Sequence, residues 1–168
     1  TVPGTLERGH RFTPPGLTNV RIIIEPDSDQ AAKACARIIA NSVKKQAECV
    51  LGLATGGTPV KCYKELIRMH RDEGLSFANC TSFNLDEYVG LPPTHAQSYR
   101  YFMQEHLFHH IDIPTDRTHV PDGLASDYEN YCDLYESLIL DSGGIDLQLL
   151  GIGQDGHIAF NEPGSSLG

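Results

Sequence analysis

The sequence predicts an α/β fold, an open, mostly parallel sheet with helices on both faces. Two observations lead there. Short apolar or β-branched runs alternate with segments of helical periodicity in the order βαβαβ, then helices, then β, with connections that suit right-handed crossovers. In addition, the three loops richest in glycine and acidic residues each follow an apolar run directly, so a parallel sheet brings them out on one edge. At 168 residues, with 40% hydrophobic and 21% charged, the chain has enough apolar material for one domain with a sizeable core.

Residues 1–19 hold Pro3, Pro14, Pro15 and several glycines without periodicity, so they are expected to be a flexible lead-in to a domain spanning 20–168. Val20 to Glu25 is β-branched and predicts a first strand. Asp27 and Gln30 have capping-box spacing, and Ala31, Ala32, Cys35, Ile38, Ile39 and Val43 continue as an amphipathic helix to about Gln46. Cys49 to Ala54 predicts the second strand, running into Thr55-Gly56-Gly57-Thr58-Pro59. Thr58 is placed to cap the next helix, which Val60, Tyr63, Leu66 and Ile67 carry toward His70. A strand, a glycine loop and a helix start together form an anion site, because unpaired N–H groups and the helix dipole face the ligand. The spacing fits neither a dinucleotide nor a Walker-type motif, which leaves a single phosphate or a plain αL turn with a cap.

Cys80 to Leu85 predicts a third strand, followed by Asp86 and Glu87. Adjacent residues of an extended segment point to opposite sides. Asp86 shares a side with Asn84 and is chosen as the carboxylate facing a cleft, with Leu85 packing on the other. Ser98 caps a helix through Phe108 that ends near His106, His109 and His110. His106 and His110 have i, i+4 metal-ligand spacing, against which stands the ordinary preference of histidines for a helix carboxyl end. A Pro-containing connection over 112–123 has room for a short strand around Thr118 to Val120. Ser126 and Glu129 then form a capping box, and Tyr128, Tyr131, Cys132, Tyr135, Leu138 and Ile139 line one helix face as a packing stripe. Ser142-Gly143-Gly144 ends that helix, and Ile145 to Leu150 predicts the last strand.

The loop after that strand packs Asp155, His157 and Glu162 into eight residues, with Gly151, Gly153 and Gly156 to turn the backbone. A carboxylate on one ring nitrogen fixes the tautomer while the other handles a substrate proton, which is an acid/base arrangement. A simple strand-to-helix turn is the alternative. The net charge of −9 argues against nucleic acid and against an anionic membrane, and no apolar stretch approaches membrane-spanning length. The five cysteines are odd in number and widely spaced, as expected for mostly buried, reduced thiols of a cytoplasmic protein. The final Gly/Ser loop has no closing strand or helix after it, so the sheet is expected to be truncated at its C-terminal end.

The segments Leu51-Gly-Leu-Ala-Thr-Gly-Gly-Thr-Pro59, Phe83-Asn-Leu-Asp-Glu-Tyr-Val-Gly-Leu91 and Gly151-Ile-Gly-Gln-Asp-Gly-His-Ile-Ala-Phe-Asn-Glu-Pro163 resemble the signature segments of glucosamine-6-phosphate deaminase, on a Rossmann-like sheet. The resemblance runs from about residue 20 to Gly168. The sister family, 6-phosphogluconolactonase, shares the Gly-Gly loop and an Asp-Gly-His, but not the Asn-Glu-Pro or the middle loop in this form. The resemblance implies isomerisation and deamination of glucosamine 6-phosphate to fructose 6-phosphate and ammonia, with no metal and no organic cofactor. It assigns proton transfer between C2 and C1 to Asp86, and ring opening to His157 oriented by Asp155 and Glu162. The 6-phosphate falls to Thr55, Gly56, Gly57 and Thr58. Ser165 and Ser166 match the start of a loop that binds an allosteric sugar phosphate, N-acetylglucosamine 6-phosphate, in regulated members, and a homo-oligomer is an open form of assembly. The resemblance also implies later elements that supply an Arg and a Lys to the phosphate. Three alternatives stand beside this reading: a lactonase-like hydrolase, a sugar-phosphate-binding relative that senses without converting, and an inactive fragment.

Overall fold

The computed structural model describes residues 21–153, 155–157 and 161–165, so the 1–19 lead-in and Ser166 lie outside the described residues. Helix α1, Ser28–Lys45, starts where Asp27 accepts a hydrogen bond from Gln30 N and buries Ala36, Ile39, Ala40 and Val43 along one stripe. Strand β1, Val50–Leu53, is buried throughout, as a central parallel strand must be. Helix α2, Gly57–Glu73, packs on α1 through Cys62, Tyr63, Leu66 and Met69 and stops at Gly74, whose φ of 69° gives the left-handed cap. Strand β2, Thr81–Asn84, leads to helix α3, Tyr99–His106, capped by Ser98 as expected. Strand β3, Thr118–His119, falls inside the short strand expected there. Helix α4, Tyr128–Asp141, precedes strand β4, Leu147–Gln148.

The sheet order is β3-β2-β1-β4, and every neighbouring pair is parallel. Gly52 lies level with Phe83 and Gln148, and Phe83 with His119, so these four share a face. On that face Phe83 stacks on His119 at 4.7 Å and meets Tyr135 of α4 edge-on at 5.7 Å. Leu51 and Leu53 point the other way, into a core shared with Ile39 of α1, Tyr63 and Leu66 of α2 and Met103 of α3. Helices therefore cover both faces, as the pattern predicts.

The tyrosine stripe of α4 serves packing, again as expected, but through hydroxyl tips more than through buried rings. Tyr135 Oη donates to Asn84 O and Tyr128 Oη to Gly123 O, while Tyr131 Oη accepts from Asp122 N. No described helix is long and apolar enough to cross a membrane.

Four expectations need correction. Described residues 21–25 form no strand, and Ile22, Ile23 and Ile24 are partly exposed. β-Branched composition favours an extended chain, but a strand exists only where a neighbour satisfies its ladder. Thr58 does not cap α2. The helix starts two residues earlier, with Gly56 at the cap position and no side-chain cap. The Ser126 capping box is replaced by Asp127, whose carboxylate accepts from Asn130 N at 3.1 Å, because a carboxylate one residue on meets the helix dipole better than a hydroxyl. Cys132 is exposed and Cys35 half-buried, whereas Cys49, Cys62 and Cys80 are buried as expected.

The cap assignment has a direct consequence for stability. Asp127→Ala should cost about 1 kcal/mol, whereas Ser126→Ala should change it by less than about 0.5 kcal/mol. Urea denaturation of the two variants measures the difference, and equal losses would return the cap to Ser126.

Candidate active site

The anion loop is built from both of its ends. Where β1 finishes, the buried Tyr63 hydroxyl grips Ala54, donating to its carbonyl and accepting from its N–H at 3.1 Å. The chain then turns through Gly56 at φ 97° and enters α2 at Gly57. No side chain caps this helix, and the space beside Gly56 and Gly57 is open. First-turn N–H groups that lack intrahelical partners therefore face outward, where the helix dipole favours an anion.

The two adjacent carboxylates after β2 have different surroundings and different work. Asp86 lines the cavity beside the anion loop. Burial raises its carboxyl above the usual carboxylate range, and the nearby Glu87 charge adds to the shift. Glu87 turns away to the start of α3. It accepts from Ser98 Oγ at 2.7 Å, Tyr99 N at 2.9 Å, Arg100 N at 3.1 Å and its neighbour Tyr88 N at 2.8 Å. The choice of Asp86 stands, but the reason needs correcting. The strand ends at Asn84, so alternation does not reach Leu85, which is 46% exposed and also lines the cavity. Gly123 holds this loop close, since a Cβ there would run into the carbonyls of Tyr88 and Leu91.

The loop after β4 folds His157 back over glycine. Gly153 N donates to His157 O at 2.9 Å, Gly156 turns at φ 92°, and a Cβ on Gly153 would collide with the imidazole. His157 Nδ1 lies 2.6 Å from Asp155 Oδ1, and the backbone N–H of His157 donates to the same oxygen. These bonds hold the Asp155 carboxyl below its ordinary range. Ligand atoms of Asp155, His157 and Glu162 all lie within 4.8 Å of one another, a spacing that a cation could also span. One of those positions is taken up by the Asp155–His157 hydrogen bond.

A single cavity of about 500 Å³ collects Thr55, Gly56, Gly57, Thr58, Asp86, His157 and Glu162. Asp155 stands outside the lining and reaches the site through His157. Ser165 is exposed beyond it, with its N–H bonded to Glu162 O at 3.0 Å. The metal alternative at His106 and His110 fails on geometry, because α3 ends at His106 and the i, i+4 register is lost. The His106 ring rests on Phe102, and His110 Nε2 bonds to Glu105 O.

Tyr88, Tyr99 and Gln148 also line the cavity and were not anticipated. Tyr99 and Thr55 both line the cavity, which brings the start of α3 beside the anion loop. Gln148 lies over β1 where a Cβ on Gly52 would strike its carboxamide. The signal for Gln148 was a polar residue between Leu147 and Leu149, in a strand beside one carrying glycine.

The two carboxylates should respond in opposite ways to removal. Glu87→Ala should lower stability by about 2 kcal/mol, because it orphans donors at the start of α3. Asp86 has a raised native pKa, so its ionised form opposes folding, and stability is lost as pH rises through that pKa. Asp86→Asn should therefore raise the melting temperature at pH 7. The gain should fade as the pH falls toward the unfolded value of about 3.9. Calorimetric melts of both variants at neutral and acidic pH test this, and a destabilised Asp86→Asn at pH 7 would contradict the assignment.

Comparison with known proteins shows the family. Residues 26–165 match the family model of glucosamine-6-phosphate isomerases/6-phosphogluconolactonase. A glucosamine-6-phosphate deaminase of Clostridium perfringens strain 13 is 55% identical over 148 residues, covering 88% of this chain and 61% of the relative. Among solved structures, a monomeric glucosamine-6-phosphate deaminase superposes with a TM-score of 0.81 at 48% identity, over 83% of this chain and 58% of the other. A 6-phosphogluconolactonase from Thermotoga maritima superposes at 0.66 with 26% identity, over 79% and 59%. The chain thus spans less than two thirds of the length of these relatives. With the match running through the anion loop, the Asp86 loop and the His157 loop alike, the chain belongs to the glucosamine-6-phosphate isomerase/6-phosphogluconolactonase family.

Proposed function

We propose that the cavity binds glucosamine 6-phosphate and that the protein converts it, with water, to fructose 6-phosphate and ammonia in amino-sugar breakdown. The observation that carries this reading is the meeting of an uncapped helix start, a half-buried carboxylate and a carboxylate-bound histidine in one cavity. The relatives named glucosamine-6-phosphate deaminase at 55% and 48% identity support the substrate.

The 6-phosphate sits at Thr55, Gly56, Gly57 and Thr58, on the N–H groups of the first turn of α2. His157, held by Asp155 at Nδ1, moves a proton between the ring hydroxyl and the ring oxygen and opens the sugar, with Glu162 beside it. Asp86 takes the C2 proton next to the aldehyde and returns it to C1. Its partial burial and raised pKa suit a base that must also give the proton back. The resulting C2 imine takes up water and releases ammonia. Proton abstraction beside a carbonyl needs neither a metal nor an organic cofactor.

Allosteric control by N-acetylglucosamine 6-phosphate rests on Ser165, which is tied through its N–H to Glu162, and on Ser166 beyond the described residues. The free cysteines fit a reducing compartment, the cytoplasm.

Titration calorimetry of glucosamine 6-phosphate against glucosamine tests the anion loop. Binding should require the phosphate, and equal affinities would refute the assignment. Deuterium wash-in at C2, followed by NMR, tests the base. Asp86→Asn should slow exchange by about 10²-fold or more, whereas His157→Gln should slow only turnover of the cyclic sugar. Hydrolysis of a phosphorylated lactone without any C2 exchange would move the reading to the lactonase branch.

A further inference from the structure

Behind the anion loop lies a second cavity of about 590 Å³, walled by Ala32 and Cys35 of α1, by Thr58 and Cys62 of α2, and by Leu150. Cys35 and Cys62 both line it, one from each of the two packed helices, with Cys35 packed against the core to which Cys62 belongs. Cys62 is 3% exposed and belongs to the apolar core, whereas Cys35 is half-buried at its edge.

The two sulfurs are not equivalent. The Cys62 S–H directed at Cys35 stabilises the Cys35 thiolate and lowers its pKa against the opposing effect of burial. The same bond, with burial added, pushes the Cys62 thiol far up. One sulfur is thus poised as a nucleophile in a cavity, and a protonated partner stands in contact with it. The other cysteines lack this arrangement. Cys49 and Cys80 are buried and shifted upward by desolvation, and Cys132 is exposed on α4.

We propose that Cys35 and Cys62 form a thiol-modification site, one that exchanges with small disulfides of the glutathione type and closes to an intrachain disulfide joining α1 to α2. The Cys35 thiolate attacks one sulfur of R–S–S–R, forming Cys35–S–S–R and expelling RS⁻, which takes up a proton. The Cys62 sulfur loses its proton to solvent and attacks the Cys35 sulfur, forming the Cys35–Cys62 bond and expelling the second RS⁻. The two protein thiols together lose two electrons and two protons, and the small disulfide is reduced to two RSH. Side-chain rotation at the helix contact brings the sulfurs to bonding distance.

The test is to equilibrate the purified chain in glutathione disulfide/glutathione buffers, quench with iodoacetamide, digest without reduction and map the cysteines by mass spectrometry. The expected product is a Cys35 peptide linked to a Cys62 peptide, with two hydrogens lost from the intact mass and restored by dithiothreitol. In Cys62→Ser the reaction should stop at a glutathione adduct on Cys35. In Cys35→Ser, Cys62 should take up none. Recovery of both Cys35 and Cys62 as alkylated thiols after oxidation would overturn the proposal, as would a link through Cys132 or between Cys49 and Cys80 in their place. Because the wild-type map decides by itself, the outcome does not depend on either variant folding.

Discussion

Parallel pairing of β1 with β2 on one side and β4 on the other is the constraint on which the rest depends. Asp146 fixes the β4 side. Its carboxylate accepts from Val50 N at 2.8 Å and from Gln46 Nε2 at 3.0 Å, and its own N–H donates to Val50 O. That anchor starts β4 level with β1, so Leu51 pairs with Leu147 and Gly52 with Gln148. With all strands pointing one way, the loops after β1, β2 and β4 have no choice but to share an edge. A slip of one residue would exchange the faces of β4, sending Gln148 into the apolar side and Leu147 toward the cavity.

Given that edge, the chemistry is divided by environment more than by residue type. Asp86 and Glu87 are neighbours in sequence with nearly identical intrinsic acidity. The first is partly desolvated at a cavity wall and shifts upward, and the second is consumed by hydrogen bonds at the start of α3. The two helix starts nearby differ in the same way. α3 is capped twice, by Ser98 and by Glu87, and offers nothing to a ligand, whereas α2 has no side-chain cap and presents its dipole to the cavity. Of two adjacent helix starts, only that of α2 is left without a side-chain cap.

Glycine sets the closeness of approach at two further points. Gly153 leaves room for the imidazole of His157 folded over it, and Gly52 leaves room for the carboxamide of Gln148 over β1. Each positions a polar group near the cavity by omission of a side chain, so the site geometry is written partly in backbone that carries no side chain of its own. Tyr63 does the complementary work from below, where its buried hydroxyl satisfies both polar groups of Ala54 and stiffens the strand end that feeds the anion loop.

Much of this was legible in the sequence, because it rests on local rules. Period and composition set the α/β order, Asp27 and Ser98 marked helix starts, and the loops at 55–58, 86 and 155–162 carried unusual residue combinations at strand ends. What local rules could not supply was decided by tertiary contact. The run at 20–25 had the composition of a strand, but among the described residues 21–25 pair with no neighbour. Asp127 displaced Ser126 because, of two adjacent candidates, it is the Asp127 carboxylate that reaches Asn130 N at the start of α4. His106 and His110 had metal spacing only if the helix continued, and it ends between them. Tyr88, Tyr99 and Gln148 reach the cavity only because their loop, helix and strand pack around it, and Cys35 and Cys62 share a cavity only because α1 lies against α2. A sequence fixes which groups are available and how each segment prefers to turn, whereas burial, partner and distance arise only when separate segments pack.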